Sequence, residues 1–203
     1  SEAALAALRQ RLHLGDRRVI LFPAGVEGLD GEPQMLAALR RVHRQFPDVA
    51  LWVFDADEAR SSRLAQENPD LGDALLVPRD LDGVTRAAAC ALADVLAFPR
   101  LMFEAWPRVV LEAQAAGTPA VVSCFGGAAE AVIDGETGHV VDPRDVDALA
   151  DAIARLLEDT ALNCRMGEAA QQRVASEFSV DRQVAATLEV YERARARRKG
   201  SAA

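Results

Sequence analysis

The sequence has little of what usually marks a protein's chemistry at first sight. Its three cysteines, Cys90, Cys124 and Cys164, are odd in number, far apart and set in apolar or helical stretches. They do not make a disulfide frame. The expectation is buried, reduced thiols in a reducing compartment, hence a cytoplasmic protein. No Cys/His cluster has metal-ligand spacing, and His13, His43 and His139 stand alone, so no metal site is expected and the histidines read as structural. No apolar run approaches the roughly 20 residues that cross a bilayer, and no charged-then-apolar leader opens the chain. It starts at Ser1 rather than at Met, as a fragment or a processed product would.

Positive charge is scarce outside one place. The tail Arg193 to Lys199 holds five of the 23 basic residues and none of the 31 acidic ones, so residues 1–192 carry 18 cations against 31 anions, a charge of −13. An acidic body disfavours a nucleic-acid surface, where phosphate contacts supply most of the affinity. The basic tail ends a long helical pattern and reads as a solvated helix end that favours the negative C-terminus; the alternative is an interaction arm. There is no Gly/Ser/Pro-rich linker and no internal repeat. Half of the 203 residues are apolar, enough for one sizeable core.

What is present is an alternation. VILF (19–22), ALWVF (50–54), ALLV (74–77), VLAF (95–98), AVVS (120–123) and HVV (139–141) read as strands. Their nearly continuous apolar character is that of parallel strands covered on both faces. QMLAALRRVHRQF, GVTRAAACALA and RVVLEAQAA lie between them with helical spacing. After the last strand, VDALADAIARLLED, LNCRMGEAAQQRVASEF and VDRQVAATLEVYERARARR read as three successive helices, with Asp145 and Ser179 placed as N-caps. The reading is one α/β domain, a Rossmann-like, doubly wound parallel sheet of about six strands. Its core spans about residues 17–143, and a C-terminal helical extension follows over about 145–198. In such sheets ligands bind beyond the carboxyl ends of the strands.

One stretch there carries chemistry: EAWPRVVLEAQAAGTPAVVS, with Glu104 and Glu112 eight positions apart. Pro107 suits a first helical turn, and Gly117 with Pro119 suits a helix end. Glu104 then lies in the loop at the N-terminus of a helix and Glu112 one turn or more inside it, on the face of Arg108 and Ala115. Free amides near 106–109 would face a phosphate. A carboxylate accepts two hydroxyls at once, which suits it to vicinal diols. Together these would read a nucleoside diphosphate sugar along its length. The plainer alternative has Glu104 favouring the helix dipole and Glu112 pairing with Arg108.

The span EAWPRVVLEAQAAGTPAVVSCFGGAAEAVIDGETGHVVDP resembles the C-terminal, donor-binding domain of GT-B glycosyltransferases, the retaining family 4 (group 1) type in particular. Glu104 and Glu112 match that family's Glu–seven residues–Glu pair, and Gly117 and Pro119 its Gly-x-Pro. Gly126, Gly127, Glu130, Gly135 and Gly138 match the elements that follow. The likeness runs from about residue 5 to about 192. It implies half of a GT-B fold, with the N-terminal acceptor domain absent, and a donor of UDP or GDP type without a further cofactor. It makes Glu104, the catalytic-site carboxylate, the contact to donor-sugar hydroxyls. It lays Ala105, Trp106, Pro107, Arg108 and Gly25 along sugar and diphosphate, gives Glu112 the ribose, and brings the base to the loop of Arg79 and Asp80. Peripheral membrane contact would come through the absent domain, and a half-enzyme would hold donor without transferring sugar.

The departures from that family are specific. Two motif glycines are replaced by Ala105 and Pro107. The family's Gly-Arg and Lys-Gly cations after the first strand correspond to Gly25 and Asp30, with Glu27 between. Losing two charge-assisted hydrogen bonds to a diphosphate costs about 1.5–3 kcal/mol each, unless Arg100 or Arg108 substitutes. Hence a second expectation, a degenerate, non-catalytic relative that keeps the fold for binding or assembly. The glycines 25, 28 and 31 with Asp55 also invite a nicotinamide-dinucleotide reading, but their spacing is GxxGxxG rather than GxGxxG.

Overall fold

The structure is a computed structural model, and it describes residues 2–78 and 83–200. Helix α1 (Glu2–Arg11) leads to strand β1 (Arg18–Pro23), followed by α2 (Glu32–Gln45), β2 (Val49–Phe54) and α3 (Glu58–Glu67). After a single 3₁₀ turn come β3 (Leu75–Leu76), α4 (Arg86–Leu92), β4 (Val95–Phe98), α5 (Arg108–Ala115), β5 (Ala120–Ser123), α6 (Ala128–Ala131) and β6 (Gly138–Val141). Three helices close the chain, α7 (Val146–Glu158), α8 (Thr160–Glu177) and α9 (Val180–Gly200).

All strand pairings are parallel, and the sheet runs β3-β2-β1-β4-β5-β6. The continuous apolar runs have a simple cause. Alternate residues of one strand enter two different cores: Ile20 and Phe22 of β1 join Leu39, Val42 and Ile153 on one face. Val19 and Leu21 join Leu12, Cys90, Val110 and Ala113 on the other. Neither face meets water, so no polar alternation survives in the sequence. Trp52 of β2 is fully buried and meets Phe54 edge-on, their ring centroids 5.5 Å apart.

The strand order reverses direction between β1 and β4. The chain leaves β1 toward β2 and β3, then returns to the other side of β1 for β4, β5 and β6. Loops leaving the carboxyl ends of β1 and β4 therefore diverge to opposite sides, opening a crevice between them. The β1–α2 loop and the β4–α5 loop form its walls, tied by a bond from the Leu101 amide to the Leu29 carbonyl at 2.9 Å.

Several expectations needed adjustment. Helix α5 begins at Arg108, with Pro107 as its N-cap in an extended conformation rather than as its first helical residue. The end is as expected, Gly117 taking a positive φ of 83° just past it. Asp145 caps α7 through the Ala148 amide, and Ser179 accepts from the Arg182 amide at the start of α9. Cys90 is buried, its thiol pushed up to about 12 chiefly by burial, but Cys124 and Cys164 are exposed. Cys124 lies one residue past the covered part of β5. Cys164 lies on α8, whose buried positions are Met166, Gly167 and Ala170. Helix α9 is exposed along its described side chains, including Val184, Leu188 and Tyr191. No described helix is long and apolar enough to cross a membrane.

Candidate functional site

The crevice between the β1 and β4 loops contains a cavity of about 360 Å³, lined by Gly25, Asp30, Arg100, Met102 and Glu104 among others. Asp30 is its buried anchor. With its side chain fully covered, it accepts from the Gly25 amide at 3.0 Å and the Glu32 amide at 3.2 Å. Arg60 of α3 reaches it at 2.5 Å. The same guanidinium holds Glu32 at 2.6 Å and the Gly25 carbonyl at 3.0 Å. Burial works against the charge of Arg60, but the Asp30 and Glu32 carboxylates outweigh it and its pKa is raised. The acidic residue that the sequence placed beside a diphosphate is thus spent on a buried ion pair.

Arg100 follows β4 and turns back beneath Gly25. Its side chain is 9% exposed, with Nη1 3.8 Å from Asp30 and Nε 3.5 Å from Glu104. Its one hydrogen bond goes from Nη2 to the Pro23 carbonyl at 3.2 Å. The guanidinium lies 4.4 Å over the Phe98 ring. Burial lowers its pKa, against the pull of Glu104 and Asp30.

Glu104 stands at the mouth, its side chain 42% exposed. Its backbone is held from below: the Gly127 amide donates to the Glu104 carbonyl at 2.9 Å. The two glycines are required there by close approach. A Cβ on Gly127 would lie 2.0 Å from the Ala105 carbonyl oxygen, and one on Gly126 would lie 2.5 Å from that of Glu104. Both contacts are with backbone, which cannot swing aside.

Glu112 lies on α5, half-buried, and its partner is Arg86 at the start of α4 rather than Arg108. Arg86 donates from Nε to Oε2 and from Nη2 to Oε1, the latter at 3.1 Å. This hydrogen bonding raises the Arg86 pKa. Asp55, at the end of β2, adopts a positive φ of 61°, unusual for a residue with a Cβ. Its carboxyl is pushed up by burial, with Arg86 opposing.

The structure thus groups Gly25, Glu104 and Arg100 in one cavity, with Glu112 at the other end of the same edge. Trp106 and Arg108 line a different cavity of about 610 Å³, with Leu111, Phe178 and Arg182. There the Trp106 ring meets Phe178 at a tilt of 53°, their centroids 5.5 Å apart. Ala105 is exposed beside Gly127, and Pro107 is buried. Arg79 and Asp80 lie outside the described residues. Among the described residues no cluster of His, Cys, Asp and Glu could hold a metal ion. Sequence reasoning missed Arg60 and Arg86. Arg60 sits on α3, a helix signalled by Asp57, whose side chain caps the Arg60 amide. Arg86 follows Thr85, which caps α4. Either cap marks a cation near the carboxyl edge.

Comparison with known proteins gives the family and the fold. The family described as glycosyl transferases group 1 matches residues 6–173. A GDP-mannose-dependent alpha-(1-6)-phosphatidylinositol monomannoside mannosyltransferase of Mycolicibacterium smegmatis is 36% identical over 174 residues, 82% of this chain and 45% of that protein. A glycogen synthase of Mycobacterium tuberculosis is 35% identical over 182 residues, 85% of this chain and 42% of that protein. The chain therefore spans somewhat less than half the length of these curated relatives. Among solved structures, Anabaena Alr3699/HepE in complex with UDP-glucose superposes with a TM-score of 0.78 at 24% identity, covering 94% of this chain and 53% of that one. The sheet is accordingly that of one half of a GT-B fold, and the chain belongs to the group 1 glycosyl transferases.

Proposed function

We propose that this chain is the nucleotide-diphospho-sugar-binding, C-terminal half of a retaining glycosyltransferase that moves a hexosyl group from a UDP- or GDP-type donor. The observation that carries the reading is the placement of two carboxylates along one edge of the sheet. Glu104 is exposed at the mouth of the switch-point cavity, and Glu112 is half-buried on the helix behind it. Glu104 receives the hydroxyls of the donor sugar and Glu112 the ribose diol, each oxygen still having a lone pair to accept with. The amides of the first turn of α5 face the diphosphate between them. The resemblance to a GDP-mannose-dependent enzyme and to a fold solved with UDP-glucose supports the donor class.

Acceptor binding belongs to the other half of the protein, as does any contact with a membrane. Sugar transfer requires an oriented acceptor and a crevice closed to water, and one Rossmann-like half supplies neither. The chain alone is expected to bind donor and to show no transfer. The cytoplasm is the proposed setting. Asp30 no longer weighs toward a degenerate relative, because Arg60 compensates its charge within the fold.

Calorimetric titration of the chain with UDP-, GDP- and ADP-sugars tests the reading. Micromolar binding to one of them, lost in Glu112→Ala, is the expected result. Silence with all three donors refutes it.

A further inference from the structure

We infer that Arg100 is the residue that binds the donor's diphosphate in this chain, and that glycine at position 25 exists to make room for it. The inference rests on the nucleotide-sugar reading above and assigns within that site a role that the pattern of glutamates does not.

The first observation is steric. A Cβ built on Gly25 would fall 2.1 Å from Nη1 of Arg100, 2.6 Å from its Cζ and 2.8 Å from its Nη2. The guanidinium occupies the volume into which any side chain at 25 would project. The cation thus stands at the end of β1 although it is carried by the loop after β4.

The second observation concerns its donors. Nε and Nη1 are buried and make no hydrogen bond. Two unsatisfied N–H groups on a charged side chain are costly to keep. Asp30 does not relieve them, since it is closer to Arg60 and stays 3.8 Å from Nη1. Glu104 is nearest to Nε, at 3.5 Å, and is exposed enough to move. An oxyanion entering between Gly25 and Glu104 would take up both donors. It would also release the Glu104 carboxylate toward hydroxyls further out. Glu104 therefore stands in for the phosphate, and arrival of the donor frees it for the sugar.

The third observation is the commitment of the other described cations near the cavity. Arg60 is held by Asp30, Glu32 and the Gly25 carbonyl, Arg63 by Glu27 and Glu32, and Arg86 by Glu112. Arg108 lines the separate cavity beside Trp106. Guanidinium stays charged at any accessible pH and presents its donors as a fork suited to phosphate oxygens.

The test measures affinity for UDP and GDP against uridine and guanosine by calorimetry, with thermal melting to check folding. Variants are Arg100→Met, Gly25→Ala, which evicts the guanidinium without deleting it, and Gly25→Arg/Arg100→Met, which moves the cation to the first loop. Each single variant is expected to weaken the preferred diphosphate by about 10- to 100-fold, one or two charge-assisted hydrogen bonds. The nucleoside should bind as before, and the double variant should recover most of the loss. If Arg100→Met does not fold, Gly25→Ala decides. Unchanged diphosphate affinity in a folded single variant overturns the assignment alone, as does an equal loss for diphosphate and nucleoside. A wild-type chain that binds none of the four overturns the donor-site reading as well.

Discussion

Glu112→Ala separates the observed role of this carboxylate, as partner of Arg86, from the proposed one, as reader of the ribose. In the structure it is the partner of Arg86, with about a third of each side chain exposed. Ion pairs in that setting are screened and contribute about 0–1 kcal/mol. For a domain of this size that is a shift in melting temperature of roughly 2–4 °C at most. In the proposed donor complex the same carboxylate accepts from two ribose hydroxyls, each such bond to a charged group being worth about 1.5–3 kcal/mol. Some of this is offset by reordering Arg86, so a net loss of about 2–4 kcal/mol is expected, roughly 30- to 1,000-fold in affinity. The assay is calorimetry with the preferred nucleoside diphosphate and its 2′-deoxy form on wild type and variant. Wild type should discriminate against the deoxy ligand by about tenfold or more, a single lost hydrogen bond. The variant should bind both forms alike, because the group that read the missing hydroxyl is gone. Two results would refute the reasoning: a variant that melts like wild type and binds like it, or one that still distinguishes the two ligands.

Three further outcomes follow from the same contacts. Gly127→Ala places a methyl 2.0 Å from the Ala105 carbonyl, so the chain around Glu104 must move; melting should show about 1–3 kcal/mol of destabilisation, and donor affinity should fall at least about tenfold. Asp30→Ala leaves Arg60 and Arg100 buried without their shared anion, a loss of about 3–5 kcal/mol that denaturant titration would register. Asp94 accepts from the Val19 amide at 2.7 Å, and burial pushes its carboxyl up despite that bond. The folded state then holds this proton more tightly than the unfolded chain. The contribution of Asp94 to stability is greatest below the ordinary carboxylate pKa and declines as pH rises through the raised folded value. Asp94→Asn should remove that decline in melts taken from pH 3 to 7 while keeping the acceptor for Val19.

Strands were legible because the rule that sets them is local. A stretch covered on both faces must be apolar at every position, and all six runs emerged as strands within a residue or two. The motif glycines and Gly117 were legible for a similar reason, since backbone contact or a positive φ leaves little choice of residue. Pairings were not. Glu112 reads as a partner for Arg108 four positions away on its own helix, yet its partner is Arg86, 26 positions earlier on α4. Helix α3 was overlooked because EARSSRLAQE offers few apolar residues; Leu64 is its one buried hydrophobic, and its other covered positions are Arg60 and Ser61. The helix is anchored by ions that sequence periodicity does not register. Arg100 was foreseen only as a candidate, because nothing in PRLMFE states that the chain after β4 folds back under β1.

The proposed diphosphate site lies in a strongly acidic chain. The carboxyl edge of the sheet carries Glu27, Asp30, Glu32, Asp55, Glu104 and Glu112, a poor setting for phosphate if only the count matters. The pairing changes the sum. Arg60 and Arg63 tie down Asp30, Glu32 and Glu27 on one side of the cavity. Arg86 faces Glu112 and Asp55 on the other. Among the described residues around this cavity, the groups left for a ligand are Arg100 and the amides of α5, opposed by one partly exposed carboxylate, Glu104. On the proposed reading, attraction is a property of a few ångströms, inside a wall of compensated ions, rather than of the net charge of −8. Short-range attraction of this kind is screened little by added salt, in contrast to the steep salt dependence of proteins that neutralise many phosphates at a surface. Donor affinity that fell steeply between low and physiological ionic strength would place the diphosphate out in solvent, away from Arg100.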